Sequence, residues 1–349
     1  MLLRYLFLGI ALFGATHLYG QASYLEVVAK TGDGIYTLLR RNRLDAAVHF
    51  SLFLELNKEL IGEKNRLFAG KKYRLPVAEA PPAPKGLPPP AGPVAVPAPS
   101  RAGASVLHYP VFGINYARVE IRDQQLRGAV YYLSSGHGGP DPGAIGQYGP
   151  HALAEDEYAY DVTIRLARRL LEHGATVYMI VQDPQDGIRD DAILKMDRDE
   201  ICYPNLPIPL NHKERLRQRT EAVNKLHRQH QGAYQRMLAI HIDSRSQSQN
   251  IDVFFYHHEN SGPGKKLANT VHQTFTTKYA RHQPNRSYFG SVSPRSSLYV
   301  VKNTHPPTVF IELGNIRNDL DQRRFVIPDN RQALANWICE GILPDYRSR

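Results

Sequence analysis

The sequence predicts an α/β protein: a twisted, mostly parallel sheet with helices on both faces, preceded by a small βααβ domain and a Pro-rich linker. Three observations carry this. Strand-like and helix-like patterns alternate through the C-terminal two thirds of the 349 residues, a segment from Ala78 to Pro99 is almost wholly Pro, Ala, Gly and Val, and a short block before it is framed by two strand-like runs.

The elements follow in order. Residues 1–22 place Arg4 before a short apolar stretch and end in small residues near Gly20 and Ala22. That is the pattern of a cleaved secretory signal, shorter than the ~20 apolar residues of a spanning helix, so the expectation is export to the periplasm or cell envelope with no stable membrane span afterwards. Residues 24–77 read as strand, Gly-Asp-Gly turn, helical patterns around Tyr36 to Arg41 and Phe50 to Asn57, then a closing strand at "KKYRLPV". Residues 78–103 are the linker, whose composition cannot build a core and favours an extended spacer. In the block 104–349, strands are expected at 129–135, 175–181, 237–243, 251–258 and 308–314, with helices at 155–173, 212–230, 264–281 and 331–342.

Charge narrows the partner. Lys and Arg number 43 against 33 Asp and Glu, a net +10, which suits an anionic polymer, surface or nucleic acid. Nucleic acid ranks low because no RNA-binding signature or Cys/His finger spacing is present. The two cysteines, Cys202 and Cys339, suit either one disulfide after export or two separate buried thiols.

Ligands of open α/β sheets bind beyond the carboxyl ends of the strands, and three polar residues fall there. His137 follows "YYLSS" inside "GHGGPDPGAIG"; His241 lies near the end of "MLAIHID"; Glu312 closes "TVFIE". The helix after the glycine loop adds a fourth, Glu157, one turn before Tyr160 on the stripe Tyr160, Ile164, Ala167 and Leu171. Glu155 and Asp156 are expected only to complement the helix start. Two histidines and a carboxylate with one position left open compose a catalytic zinc set, here His137, Glu157 and His241. Glu312, outside the set, is suited to move a proton from water to a leaving amine. The glycines let backbone turn sharply and approach closely.

The glycine loop matches neither a dinucleotide fingerprint nor a Walker pattern. A lone strand-end histidine is more often a structural residue than a ligand; the four positions in register raise the case for a site. His257 and His258 read as surface or loop groups, the run "HKERLRQRTEAVNKLHRQHQ" as a solvated helix, and the irregular stretch 184–209 as a candidate cover over the cleft.

Two resemblances sharpen this. Residues 24–77 resemble a lysin motif (LysM) domain on Gly32-Asp33-Gly34, Leu56-Asn57, Leu67, Gly70 and Tyr73-Arg74-Leu75-Pro76, with a longer spacing between the helices than is usual; that implies binding of N-acetylglucosamine-containing glycans. The large block resembles the zinc-dependent N-acetylmuramoyl-L-alanine amidases of the amidase 3 type. It does so on Gly136-His137-Gly138-Gly139, Asp141 to Gly146, Glu157, Arg219 with Asn224, Ile240-His241, "LYVVKNTHPPTVFIELGNIRND" and "ALANWICEGI". The resemblance implies zinc on His137, Glu157 and His241, Glu312 as the catalytic glutamate, peptidoglycan glycan strand and stem peptide as partners, an activator protein as a further candidate partner, and a role in wall remodelling or daughter-cell separation. Ser134-Ser135 stands where the family usually has Asp-Pro, Ile242-Asp243-Ser244 where it has Ala-Asn-Ala, and Asn315 where an aromatic is common. The alternative is a non-catalytic wall-binding or divisome scaffold.

Overall fold

The computed structural model describes residues 24–76 apart from 31–32, 43, 45–51 and 63–65, then residues 94–95, and 106–349 apart from 249. The signal expected over 1–22 and most of the linker expected over 78–103 lie outside the described residues. The chain divides into two compact units, residues 1–86 and 87–349, and each stands as its own body.

In the first unit, β1 (Tyr24–Val28) pairs antiparallel with β2 (Lys72–Pro76), bracketing α1 (Ile35–Arg41) and a helical stretch α2 over 52–56. Ile35, Leu38, Leu39, Phe53, Tyr73 and Leu75 form its core. Asn57 ties helix to strand: its buried amide donates to the carbonyls of Phe53 (2.8 Å) and Arg74 (2.7 Å) and accepts from Arg74 N–H (2.7 Å). A buried amide is tolerated here because its hydrogen-bonding capacity is used.

The second unit opens with β3 (Val94–Ala95), β4 (Val106–His108), β5 (Arg118–Glu120), β6 (Ala129–Ser135), β7 (Ile145–Tyr148), β8 (His151–Ala154) and α3 (Glu155–Glu172). It continues with β9 (Thr176–Met179), β10 (Val181–Gln182), β11 (Ile201–Cys202), β12 (Leu206–Pro207), α4 (His212–Gln229) and β13 (Tyr234–Asp243). Last come β14 (Phe254–His257), α5 (Gly262–His282), β15 (Ser291–Pro294), α6 (Tyr299–Asn303), β16 (Thr308–Asn315), α7 (Asp319–Val326) and α8 (Pro328–Arg347).

The main sheet has the order β15-β14-β16-β13-β6-β9-β3. Its centre, β16 to β9, is parallel as expected, but β14 runs antiparallel to β16, β15 follows β14, and β3 runs antiparallel to β9. The sheet is therefore mixed. Among the described residues the chain between β13 and β14 contains no helix, and β14 enters the sheet on the far side of β16 from β13, in the opposite sense to both.

Strand alternation divides the core between two faces. Leu133, Leu238, Ile240, Val309 and Ile311 pack with Ile164, Leu267 and Ile338 of α3, α5 and α8. Tyr132, Met237, Ala239 and Phe310 pack on the opposite face with Val223 and Leu226 of α4 and Val300 and Val301 of α6. Cys202 and Cys339 are free and buried on opposite faces, so they are two separate thiols.

Segment 184–209 is fastened to this body. β10, β11 and β12 form a small antiparallel sheet, and Arg331, fully buried, bonds Asp161 (2.6 Å) while donating to the carbonyls of Arg189 (2.8 Å) and Asp191 (2.9 Å). Arg331→Ala leaves Asp161 and several buried carbonyls short of a donor. The expected loss is about 3–5 kcal/mol, visible as a lower denaturant midpoint at unchanged slope.

Candidate active site

The site begins with one rung of the sheet. In the parallel register of β13 and β16, His241 stands beside Glu312, and period-two alternation puts both on the face that carries Ala239 and Phe310. The His241 ring stacks on Phe310, centroids 4.2 Å apart and planes at 19°, which limits its rotation.

β6 delivers the third group. The ladder runs one residue past the strand end, where Gly136 N–H donates to Ile240 O (2.7 Å), and a Cβ on Gly136 would lie 2.4 Å from His241 Nδ1. His137, Gly138 and Gly139 then take φ of +58°, +98° and +63°. Left-handed backbone costs an L residue roughly 1–2 kcal/mol and glycine almost nothing, so the flanking glycines leave His137 as the one strained residue of the turn. Arg219 of α4 donates to the carbonyls of His137 and Ser135, Gly138 N–H to Asp141 O (2.8 Å), and Gly139 N–H to the Glu200 carboxylate (2.6 Å). The His137 ring meets Asp141 through Nδ1 (3.0 Å), and Arg215 holds Asp141 (2.6 Å). α4 is thus not merely a solvated helix: its buried face carries Arg215 and Arg219 to the loop.

The carboxylate that joins the two histidines is Glu155, not Glu157. Glu155 Oε2 lies 3.3 Å from His137 Nε2 and Oε1 lies 3.1 Å from His241 Nδ1. The same oxygens accept N–H from Ala144 (3.0 Å) and Ile242 (3.1 Å). Burial opposes its ionisation, but the hydrogen bonds and charges of His137 and His241 prevail and hold it well below the usual carboxylate range. His137 is raised to about 10 in turn: burial lowers it, and its bonds to Asp141 and Glu155 outweigh that. Burial lowers His241. His137, Glu155 and His241 form a group that could hold a metal ion, with ligand atoms all within 4.8 Å of one another, and two imidazoles with one carboxylate fit zinc.

Glu157 points elsewhere. Its Oε2 accepts from Arg189 (2.9 Å) and its Oε1 from Asp197 N–H (2.8 Å). The stripe that suggested it does face the core, but residues 155–167 are buried on every side, so helical periodicity singles out no face. Helix position decides instead: Glu155 is the first residue of α3, directly after β8, and its own N–H donates to Ala144 O in the glycine loop (2.9 Å).

A cleft of about 510 Å³ gathers His137, Glu155, Arg219, His241 and Glu312, rimmed by Ser134, Asp243 and Tyr299. Glu312 Oε2 has no hydrogen-bond partner among the described residues. Burial, then the nearby charges of Glu155 and Asp243, push its proton affinity well above that of an ordinary carboxyl. Segment 184–209 does not line this cleft; it packs behind the glycine loop, with Ile208 against Gly139 and Glu200 against Gly138. His257 is a buried strand residue, not a surface group, and it accompanies Phe255 into the core.

The family model for N-acetylmuramoyl-L-alanine amidase (Amidase_3) matches residues 132–344. The chain belongs to this family. It is an amidase of that class, an enzyme hydrolysing an amide in peptidoglycan. It is 26% identical over 222 residues to a germination-specific N-acetylmuramoyl-L-alanine amidase of Bacillus subtilis, covering 62% of this chain and 80% of that protein. It is 27% identical over 222 residues to the probable cell wall amidase LytH of Staphylococcus aureus, covering 62% of this chain and 58% of LytH. Among solved structures, the CwlD amidase of Clostridioides difficile, in complex with the GerS lipoprotein, aligns at TM-score 0.47 and 21% identity over 63% of this chain and 98% of that one.

Within this amidase, sequence reasoning gave Asp141 no role of its own, although it lies four residues after His137, and passed over Arg215, which reaches Asp141 from 74 residues further along the chain. The spacing His137-x-x-x-Asp141 was the available signal. Gly136→Ala drives a methyl into the His241 ring and is expected to lower metal affinity about 10–100-fold with little change in circular dichroism; competitive chelator titration measures it.

Proposed function

We propose that the cleft cleaves the amide between the lactyl group of N-acetylmuramic acid and the first L-alanine of the stem peptide, with zinc held by His137, Glu155 and His241. Such an ion, when bound, supplies Lewis acidity to the scissile carbonyl and an acidified water. The chain's own groups do the rest. Asp141, anchored by Arg215, orients the His137 ring so that Nε2 faces Glu155. Arg219 and the Glu200 carboxylate hold the loop that carries it. Glu312 Oε2 takes the proton of the attacking water and delivers it to the departing L-alanine nitrogen as the C–N bond breaks. Arg295 and Arg245 offset the charge near Glu312.

The single observation that carries this reading is the register of His241 with Glu312, which sets a partnerless carboxylate oxygen beside the His-Glu-His group in one cleft. Digestion of purified sacculi should release free stem peptides and leave glycan strands intact by mass spectrometry; peptides cut internally would refute the bond assignment. Glu312→Gln is expected to reduce turnover about 10²–10⁴-fold while metal content stays at wild-type level.

Glu155→Gln and Glu157→Gln separate the two candidate ligands. Metal analysis after desalting should find zinc lost from the first variant and retained by the second.

The wider role follows the same reading. The Arg4-led apolar N-terminus, the net +10 charge and the kinship with cell wall amidases support an envelope location and action in wall remodelling or daughter-cell separation. No helix among the described residues is long and apolar enough to cross a membrane. The strand-helix-helix-strand order of the N-terminal unit supports a LysM-like module that binds the glycan and so raises the local concentration of the enzyme on its polymer.

A further inference from the structure

A second convergence of acids stands behind the glycine loop. Asp156 and Glu157, the residues after Glu155 on α3, meet Glu200 from segment 184–209, with one carboxylate oxygen of each within 4.8 Å of the others. All three are buried, 1%, 1% and 4% exposed. Glu157 is bonded by Arg189 and Asp197 N–H, Glu200 by Gly139 N–H, and Asp156 Oδ1 by Glu157 N–H at 2.9 Å. Asp156 Oδ2 is sealed from solvent and has no partner among the described residues.

The charges do not balance. Among the described residues, Arg189 is the one side-chain cation bonded to any of the three acids, and it divides its charge between Glu157 and Asp186. A further acidic group, Asp183, Asp197 and Asp199, adjoins them through the Asp197 N–H bonded to Glu157. Burying uncompensated carboxylates is strongly unfavourable, and this cluster does so in a protein whose net charge is +10.

We propose that Asp156, Glu157 and Glu200 bind a hard divalent cation, calcium or magnesium, at a site distinct from the His137–Glu155–His241 group. The donor set is all oxygen, the choice of calcium and magnesium, whereas the catalytic group offers two imidazoles. The ion completes the bonding of Asp156 Oδ2. It also cross-links the first turn of α3 to Glu200, whose other bond holds Gly139, so it braces the turn that carries His137.

The test uses the full-length protein loaded with zinc, so that the added ion cannot report the other group. Calcium chloride titrated into it should give one binding event by calorimetry and raise the thermal unfolding midpoint, with magnesium chloride as a parallel arm. Asp156→Asn and Glu200→Gln should each weaken binding at least about tenfold and abolish the thermal response, while Asp199→Asn keeps both. If Asp156→Asn does not fold, Glu200→Gln carries the same readout. Absence of heat and of thermal shift with both salts overturns the proposal, as does a response lost in Asp199→Asn but kept in Asp156→Asn. An unresponsive protein in which Asp156→Asn is as stable as wild type identifies Asp156 as a neutral buried acid.

Discussion

The Glu155 carboxylate sits where three separate stretches of chain converge: it faces His137 from the glycine loop and His241 from β13, and it accepts N–H from Ala144 and Ile242. Two backbone donors and two imidazoles around one buried anion leave it little freedom. The same four contacts align the ends of β6 and β13 with the start of α3, so the catalytic cleft and the packing of its walls depend on one side chain. Close approach is the condition: a Cβ on Gly143 would come within 2.7 Å of both Glu155 Oε2 and the His137 ring.

Around that anion the protein sorts its acids by environment. Glu155 is held ionised by its histidines, the proton affinity of Glu312 is raised by burial and neighbouring negative charge, and Asp141 is drawn down by His137 and Arg215. Carboxyls pushed in opposite directions within one cleft are suited to different tasks, one to anchor and one to carry a proton. Asp156 and Glu157, one and two residues along from Glu155, leave the cleft altogether, because successive helical residues rotate by about 100°. Glu155 faces the histidines while its neighbours meet Glu200 and Arg189.

Segment 184–209 belongs to this second environment. Arg331 and Arg165 bind its backbone to α3, Tyr158 bonds the carbonyl of Ala192 and the N–H of Leu194, and Glu200 bonds Gly139. A stretch that lacks regular periodicity is thereby ordered by charge and hydrogen bonding as well as by the burial of Ile188, Leu194, Cys202 and Ile208. It acts on the cleft from behind, through the turn that bears His137.

Much of the fold was legible in the sequence. The run "AVYYLSS" is β6 residue for residue, and the helices at 155–173 and 212–230 agree with α3 and α4 to within a residue, because long apolar and amphipathic periods are local properties of the chain. The strand-end positions of His137, His241 and Glu312 were readable from where the apolar runs stop, and polar residues there have few physical justifications. The reversal of β14 was not visible, since a strand's direction depends on which neighbours have already taken the parallel positions. Nor was Glu155. A helix buried all round presents no stripe, so which of three consecutive acids meets the histidines is set by the tertiary packing of α3 against the glycine loop and β13, where carbonyl and N–H partners fix the helix's rotation to a single residue.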